Sequence, residues 1–409
     1  MSPSKPLRVI LSEFAWKTYG DILKAAVSDI EPRIVTPDTV PDLAGAEIAF
    51  VTRDMYLGGT RSKPAPAFVR FIDILRGAPD LKWLHTYTAG ADHRFYVELM
   101  AQGLTVATSA GANSDVVAHS ALSGLLALAR RLPASMDSQR RHAWEPLYSN
   151  EPRDLLGQRA VIVGLGPIGQ EIGRLCVAFG LKVTGVRHTA GLTPPAGFER
   201  CVTYSELASV LPEADWLILS CPLSEATRKI INADKLARLP AQAQIINVAR
   251  GEVVEQSDLL AALQAKKIAG AYLDVFEVEP LPPDSGFWDL PNVLVISHSA
   301  AASDGHGRRV ANAFARNLAR WAEGKPLLNV AEGSRALSYP PLEVISINPR
   351  NLRRWRSLVW PEEHPMNDNK NPNEKQPGEK PEGKQHYNPG NQSGKEAGMV
   401  PKEETEKRD

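Results

Sequence analysis

Cysteine is scarce in this chain: 409 residues hold three, Cys176, Cys201 and Cys221. They are scattered, lack metal-ligand spacing and are too few for a disulfide framework. Cys176 and Cys221 sit in apolar runs, where a core role is expected. Net charge is lacking too. Forty-seven Lys and Arg balance 47 Asp and Glu, so the chain as a whole makes no electrostatic case for nucleic acid or an anionic membrane surface. No apolar run approaches the roughly 20 residues of a membrane-spanning helix. Residues 1–6 lead directly into an apolar run at 7–11, too short for a signal peptide's apolar region and cleavage site. The expectation is a soluble, cytoplasmic protein in a reducing compartment, without metal, membrane or nucleic-acid partner.

What is present reads as βα units. The length admits two domains at about 150 residues each. Apolar strands are expected at 7–11, 48–51 and 81–86, with helices at 16–27 and 68–75. Strands alternating with helices imply a parallel sheet, so residues 1–108 form one small doubly wound domain. Residues 113–131 make a strongly apolar helix pattern, stopped by Pro133 and sandwiched between domains. The polar stretch 135–154, with Trp144 and Pro146 isolated in it, is either a surface loop or an arm gripping a second subunit. A second series follows, with strands at 160–163, 181–186, 216–220, 244–248, 269–273 and 293–296, the rhythm of a six-stranded dinucleotide-binding domain. A helix at 307–321 closes it. Beyond 330 the composition shifts: a mixed stretch carries Arg350, Arg353, Arg354 and Arg356, and 362–409 is Pro, Asn, Gly, Lys, Glu and Gln with almost no aliphatic residues. Such a tail cannot bury enough apolar surface to offset its ordering entropy and is expected to be disordered.

The most informative stretch is the buried strand 160–163 running into Gly164-Leu165-Gly166-Pro167-Ile168-Gly169 and then into apolar residues at helical spacing. Strand, glycine turn and helix make this GxGxxG a dinucleotide-binding pattern. Gly164 permits the tight turn, Gly166 lets a pyrophosphate approach the backbone, and Gly169 lets helix and strand pack closely. Unpaired N–H groups and the helix dipole hold phosphate there. Three further strands end in chemistry: 245–248 in Ala249 and Arg250, 270–273 in Asp274, Glu277 and Glu279, and 293–296 in Ser297 and His298. In an open parallel sheet the carboxyl edge is the ligand side.

These motifs taken together, GLGPIG at 164–169, Asn247-x-x-Arg250-Gly251, Asp274-Val-Phe-x-x-Glu279-Pro280 and His298, resemble the D-2-hydroxyacid dehydrogenase family (glyoxylate/hydroxypyruvate reductase-like) over roughly residues 7–330. The resemblance implies an α/β fold of two doubly wound parallel-sheet domains. A flavodoxin-like substrate domain, residues 1–108 plus 302–330, is interrupted by a Rossmann cofactor domain at 109–301, with 331–409 as tail. It also implies a homodimer, and an oxidoreductase moving a hydride between NAD(P)H and a small 2-keto acid or D-2-hydroxy acid.

The residue types suit that reaction. His298 is the acid/base, since imidazole titrates near neutral pH; Glu279 on its other nitrogen sets the tautomer, preferred over Glu277 for its spacing to Asp274 and the following proline. Arg250 offers a planar fork to carboxylate and carbonyl. For the cofactor, the resemblance places Pro167 and Ile168 at the pyrophosphate, Cys221, Pro222 and Thr227 on the adenosine side, and Asp274 at the nicotinamide amide, with His188 and Ala249 among the contacts. The backbone of Ala89 and Gly90 is to receive the substrate carboxylate, with Arg53 and Tyr56 as further pocket residues. Three departures stand out: Ser297 where the family often has proline, His119 where it often has glutamate, and Arg187 where an acid would bind the ribose hydroxyls of NAD. An arginine pairs with a 2′-phosphate, so NADP(H) is expected over NAD(H). Two other readings remain: a nucleotide-sensing corepressor on the same fold, and oxidation of an unusual substrate such as phosphite.

Overall fold

A computed structural model describes residues 6–60, 63–149, 151–189, 191 and 193–331. The first sheet is built from β1 (Leu7–Ser12), β2 (Ile30–Val35), β3 (Ile48–Phe50), β4 (Trp83–His85) and β5 (Thr105–Ala107), in the order β2-β1-β3-β4-β5. Helices α1 (Glu13–Ala26), α2 (Pro66–Arg76) and α3 (Arg94–Ala101) connect its strands. The chain continues through α4 (Ser114–Ala129) and α5 (Leu132–Arg140) into the second sheet. This contains β6 (Arg159–Val163), β7 (Lys182–Arg187), β8 (Phe198–Thr203), β9 (Trp216–Leu219), β10 (Gln244–Asn247), β11 (Gly270–Leu273) and β12 (Val293–Val295). Its helices are α6 (Pro167–Ala178), α7 (Leu207–Val210), α8 (Ala233–Leu236) and α9 (Gln256–Gln264), and its order is β12-β11-β10-β9-β6-β7-β8. Every pairing between these strands is parallel. The last helix, α10 (His306–Ala322), returns to the first sheet, where Phe314 stacks on Phe50 with centroids 4.2 Å apart. The stretch from 332 onward, including the Arg350–Arg356 patch and the tail expected to be disordered, lies outside the described residues.

Three strands were not expected from sequence: β2, β5 and β8. All three are sheet edges. β2 contains Pro32 and β8 reads FERCVT; only an edge, with one free side, tolerates proline and outward charges so readily. β5 has only three residues, Thr105–Ala107, too few to show a period. A correction also applies around 135–154. Pro133 does not simply stop the preceding helix. Arg131, at φ 54°, turns the chain and Pro133 then opens α5 through Arg140, proline being well suited to a first helical turn. The extended part is confined to the residues after it, where Trp144 is 95% exposed.

At the centre of the first sheet, His85 is fully buried among the rings of Phe50, Trp83 and Phe314. Its Nε2 lies 3.1 Å from Ser109 Oγ, while Nδ1 has no hydrogen-bond partner among the described residues. Burial, with a smaller contribution from Arg316, pushes its pKa down to about 3. Between that value and the ordinary one near 6.5, the unfolded chain takes up a proton that folded His85 refuses, so stability is complete above about pH 6.5 and declines as pH falls. By this linkage, lowering the pH from 7 to 5 should cost about 2 kcal/mol through His85 alone. Urea unfolding at both pH values should show that loss in the wild type and a smaller one in His85→Gln; an equal loss in both would assign the acid sensitivity elsewhere.

Candidate active site

The registers bring one set of strand ends to a single edge: Val163 is level with Leu219, Leu219 with Asn247, Asn247 with Leu273, and Leu273 with Val295. The loops that leave these ends carry most of the residues singled out above.

At β6 the glycine turn has the build that the sequence implies. Gly164 adopts φ +96°, and a Cβ there would stand 2.4 Å from Cys221 Cα. A Cβ on Gly169 would lie 1.9 Å from Gly164 O, so only glycine lets α6 start this close to the strand. Gly166, by contrast, is exposed at the N-cap of α6, and a Cβ there would meet nothing within 4 Å. Two glycines thus answer to packing, and the middle one borders open space at a helix N-terminus, a setting that accommodates a phosphate group. Pro167 is exposed and Ile168 half-buried beside it.

The neighbouring loop after β9 packs beneath this turn. Cys221 is 2% exposed, and burial pushes its thiol up to about 12, so it serves as an apolar wedge under Gly164. Thr227 is equally buried; its hydroxyl donates to Pro222 O at 2.6 Å and accepts from Ser224 N at 2.8 Å. That engagement holds the shape of the loop, leaving exposed Pro222 as its outward surface. On the other side Gly164 N donates to Val186 O, which sets the end of β7 against the turn. Arg187 is next in the chain, half-buried, with Nη2 donating to Thr193 O at 3.2 Å. His188 is exposed, its ring 6.0 Å from that of Tyr204.

The three chemical strand ends interlock. After β10, Asn247 Oδ1 accepts from Ala249 N and its Nδ2 donates to Arg250 O, closing the loop on itself. Gly251 then passes so near the next loop that a Cβ would lie 1.9 Å from Phe276 C. After β11, buried Asp274 accepts at Oδ1 from Ser299 N (2.7 Å) and Ala300 N (3.0 Å), and its backbone carbonyl accepts from His298 N (2.8 Å). Burial raises the Asp274 carboxyl above its usual range, although the Ser299 N–H opposes this. Held on both sides, His298 takes φ +49°. Its Nδ1 lies 2.7 Å from Glu279 Oε2, and Glu279 Oε1 accepts from Phe276 N at 3.0 Å. Glu277 turns elsewhere, its backbone N–H donating to Gln256 Oε1 and its carboxyl raised by burial and by Glu255. The half-exposed His298 ring keeps Nε2 on the side away from its carboxylate.

The first sheet contributes its own strand ends. A Cβ on Gly90 would lie 2.9 Å from Arg250 Nη2, so the Ala89–Gly90 backbone lies against that guanidinium. Asp92, which sequence reasoning passed over, takes Arg250 Nε and Nη2 at 3.1 and 3.2 Å. The only sign of it in sequence is an acid two residues past Gly90. Tyr56 is part of a hydroxyl chain. It bonds to Tyr96 and to Thr86, and Thr86 to Thr88, which donates to Gly90 O at 2.6 Å. Burial pushes the Tyr56 hydroxyl up to about 12, so it stays a neutral link. Arg53 is exposed at the end of β3. Burial, followed by the charges of Arg309 and then Arg53, lowers the His306 ring to a pKa of about 4, where that ring stacks on Tyr87 at 4.2 Å. Among the described residues no three His, Cys, Asp or Glu side chains group as a metal site, and no helix is long and apolar enough to cross a membrane.

Comparison with known proteins agrees with this architecture. Residues 122–300 match the model of the D-isomer specific 2-hydroxyacid dehydrogenase NAD-binding domain. The chain is 32% identical over 273 residues to a glyoxylate reductase of Korarchaeum cryptofilum, covering 66% of this chain and 81% of that protein. It is 31% identical over 256 residues to the human glyoxylate reductase/hydroxypyruvate reductase, covering 61% and 76%. Among solved structures, a D-isomer specific 2-hydroxyacid dehydrogenase from Xanthobacter autotrophicus Py2, in complex with NADPH and MES, superposes with a TM-score of 0.66 at 30% identity, over 81% of this chain and 99% of that one. An NADPH-dependent glyoxylate/hydroxypyruvate reductase from Sinorhizobium meliloti, in complex with NADP and sulfate, gives 0.66 at 27% identity, over 80% and 99%. The chain belongs to the D-isomer specific 2-hydroxyacid dehydrogenase family, NAD(P)-dependent oxidoreductases acting on CH–OH groups.

Proposed function

We propose that this protein is an NADPH-preferring reductase of a small 2-keto acid such as glyoxylate or hydroxypyruvate. The observation that carries the reading is the meeting, on one sheet edge, of an imidazole paired with a carboxylate and a guanidinium lying against a backbone turn. A reduced nicotinamide, when bound, supplies the hydride that goes to the keto carbon. The rest falls to the chain. Arg250 directs N–H groups at the substrate carboxylate and at the carbonyl oxygen, where negative charge develops. The Ala89–Gly90 turn receives the carboxylate beside it. His298 gives the proton to the forming alkoxide from Nε2, while Glu279 on Nδ1 keeps the ring in that tautomer and stabilises its charged form. In the oxidative direction neutral His298 accepts the hydroxyl proton.

Cofactor residues follow the same edge. The exposed N-cap at Gly166, with Pro167 and Ile168, suits the pyrophosphate; Pro222 and the loop held by Thr227 suit the adenosine side; Asp274 and Ala249 border the nicotinamide. Arg187, directly after the residue bonded to Gly164, suits a 2′-phosphate by its charge and planar fork, with exposed His188 beyond it. NADPH in the Xanthobacter complex and NADP in the Sinorhizobium one support this preference. The division of labour that we assign is substrate binding by 1–108 with 302–330 and cofactor binding by 109–301. Trp144, Tyr148 and Leu156, at 95%, 85% and 80% exposure, are large apolar side chains that a second copy would cover, which supports a homodimer.

Absorbance at 340 nm with NADPH or NADH and a panel of glyoxylate, hydroxypyruvate, pyruvate and phenylpyruvate tests the reading directly. Turnover with NADPH favoured is expected, and His298→Ala should lower it by several orders of magnitude with cofactor affinity nearly unchanged. Preference for NADH would remove the Arg187 assignment; silence on every keto acid would turn the reading toward a nucleotide-sensing binding protein. The glycine turn separates packing from ligand approach. Gly166→Val should fold with near-native stability yet bind NADPH at least tenfold more weakly, whereas Gly169→Val should lower the thermal midpoint itself. Equal NADPH affinity in Gly166→Val and the wild type would move the phosphate site elsewhere. Light scattering should give a dimer that Trp144→Glu dissociates; a monomeric wild type would reject the arm.

A further inference from the structure

Arg250 and Asp92 meet from different sheets. Arg250 follows β10, and Asp92 lies in the connection from β4 to α3. Nε donates to Oδ2 at 3.1 Å and Nη2 to Oδ1 at 3.2 Å, a two-point contact that sets the plane of the guanidinium as well as its position. Nη1 donates to Ala249 O at 2.7 Å. A guanidinium has five N–H groups. With one engaged at each of its three nitrogens, one N–H remains on each of the two terminal nitrogens. Both side chains are largely sheltered, 24% and 20% exposed, so the contact is protected from solvent competition. The Gly90 backbone touches both partners, since a Cβ there would be 2.9 Å from Nη2 and 2.9 Å from Asp92 Oδ1. The ion pair also offsets the guanidinium charge, so a substrate carboxylate is recognised by directed N–H groups more than by a lone cation.

We propose that Asp92 is a positioning residue: its two-point hold on Arg250 aims the two remaining guanidinium N–H groups at the carboxylate and carbonyl oxygen of a keto acid lying over Ala89 and Gly90. Arginine is long and flexible, and without the hold its fork loses a common direction. This inference rests on the keto-acid reading above and adds to it a residue contributed by the other sheet.

A double-mutant cycle tests whether Asp92 acts through Arg250. Asp92→Asn should lower kcat/KM for the keto acid at least tenfold, with KM for NADPH moving less than twofold. In the Arg250→Ala background the same change should alter the residual kcat/KM less than twofold, because no fork is left to aim. Losses that multiply in the double variant would overturn the proposal. A calorimetric titration of the NADPH-loaded proteins with oxalate, a planar mimic of a keto acid, repeats the comparison without turnover. Oxalate should bind Asp92→Asn at least fivefold more weakly than the wild type, and equal affinity overturns the role of Asp92. Absence of turnover in the wild type would instead reject the keto-acid reading, and the oxalate comparison would still decide on Asp92. If Asp92→Asn does not fold, Asp92→Glu, which keeps the charge on a longer stem, takes its place in both measurements with the same expected losses.

Discussion

Parallel pairing throughout both sheets is the constraint from which the arrangement of the site follows. In a parallel sheet every strand exits at the same edge, and level registers from β6 through β9, β10 and β11 to β12 bring those exits together. A strand in the opposite sense would send its loop to the far side. The glycine turn, the Arg250 loop, the Asp274–Glu279 loop and the His298 turn are therefore neighbours although well over a hundred residues separate the first from the last. Close approach completes the arrangement: Gly169 lies against the Gly164 carbonyl, and Gly251 against the loop at Phe276.

On that edge the ionisable side chains are held in pairs. His298 is paired with Glu279, Arg250 with Asp92, and Asp274 accepts two backbone N–H groups. Removing a charge from water is costly unless a partner or hydrogen bonds offset it, so each pair is also a positional restraint. The Asp274 carboxylate binds the turn that carries His298, and Glu279 binds both the His298 ring and the backbone N–H of Phe276. Orientation thus rests on groups that are already paired and directed before any ligand arrives, the condition under which electrostatic stabilisation of a reacting oxygen is most effective.

Much of this was legible along the chain. Central strands, buried on both faces, are unbroken apolar runs and stand out without any structure. The edge strands β2, β5 and β8 did not, because an edge admits proline, charge and brevity. Arg250, Glu279 and His298 were visible as polar residues just past apolar runs, and the spacing of Glu279 to Asp274 separated it from Glu277. Asp92 was not visible: its partner lies 158 residues away on another sheet, and no local period records such a contact.

By itself, then, the sequence determined the central strands and most of the helices between them, the glycine turn that opens a helix against a strand, and the residues able to carry proton transfer and anion recognition, because each is written in periods of two and 3.6 or in residues a few positions apart. Only the tertiary structure decided which side chains hold one another: that Thr227 is occupied within its own loop, that Tyr56 is a link in a hydroxyl chain, and that Arg250 is held from the opposite sheet. Such contacts join segments distant in sequence, and folding alone brings them within hydrogen-bonding range.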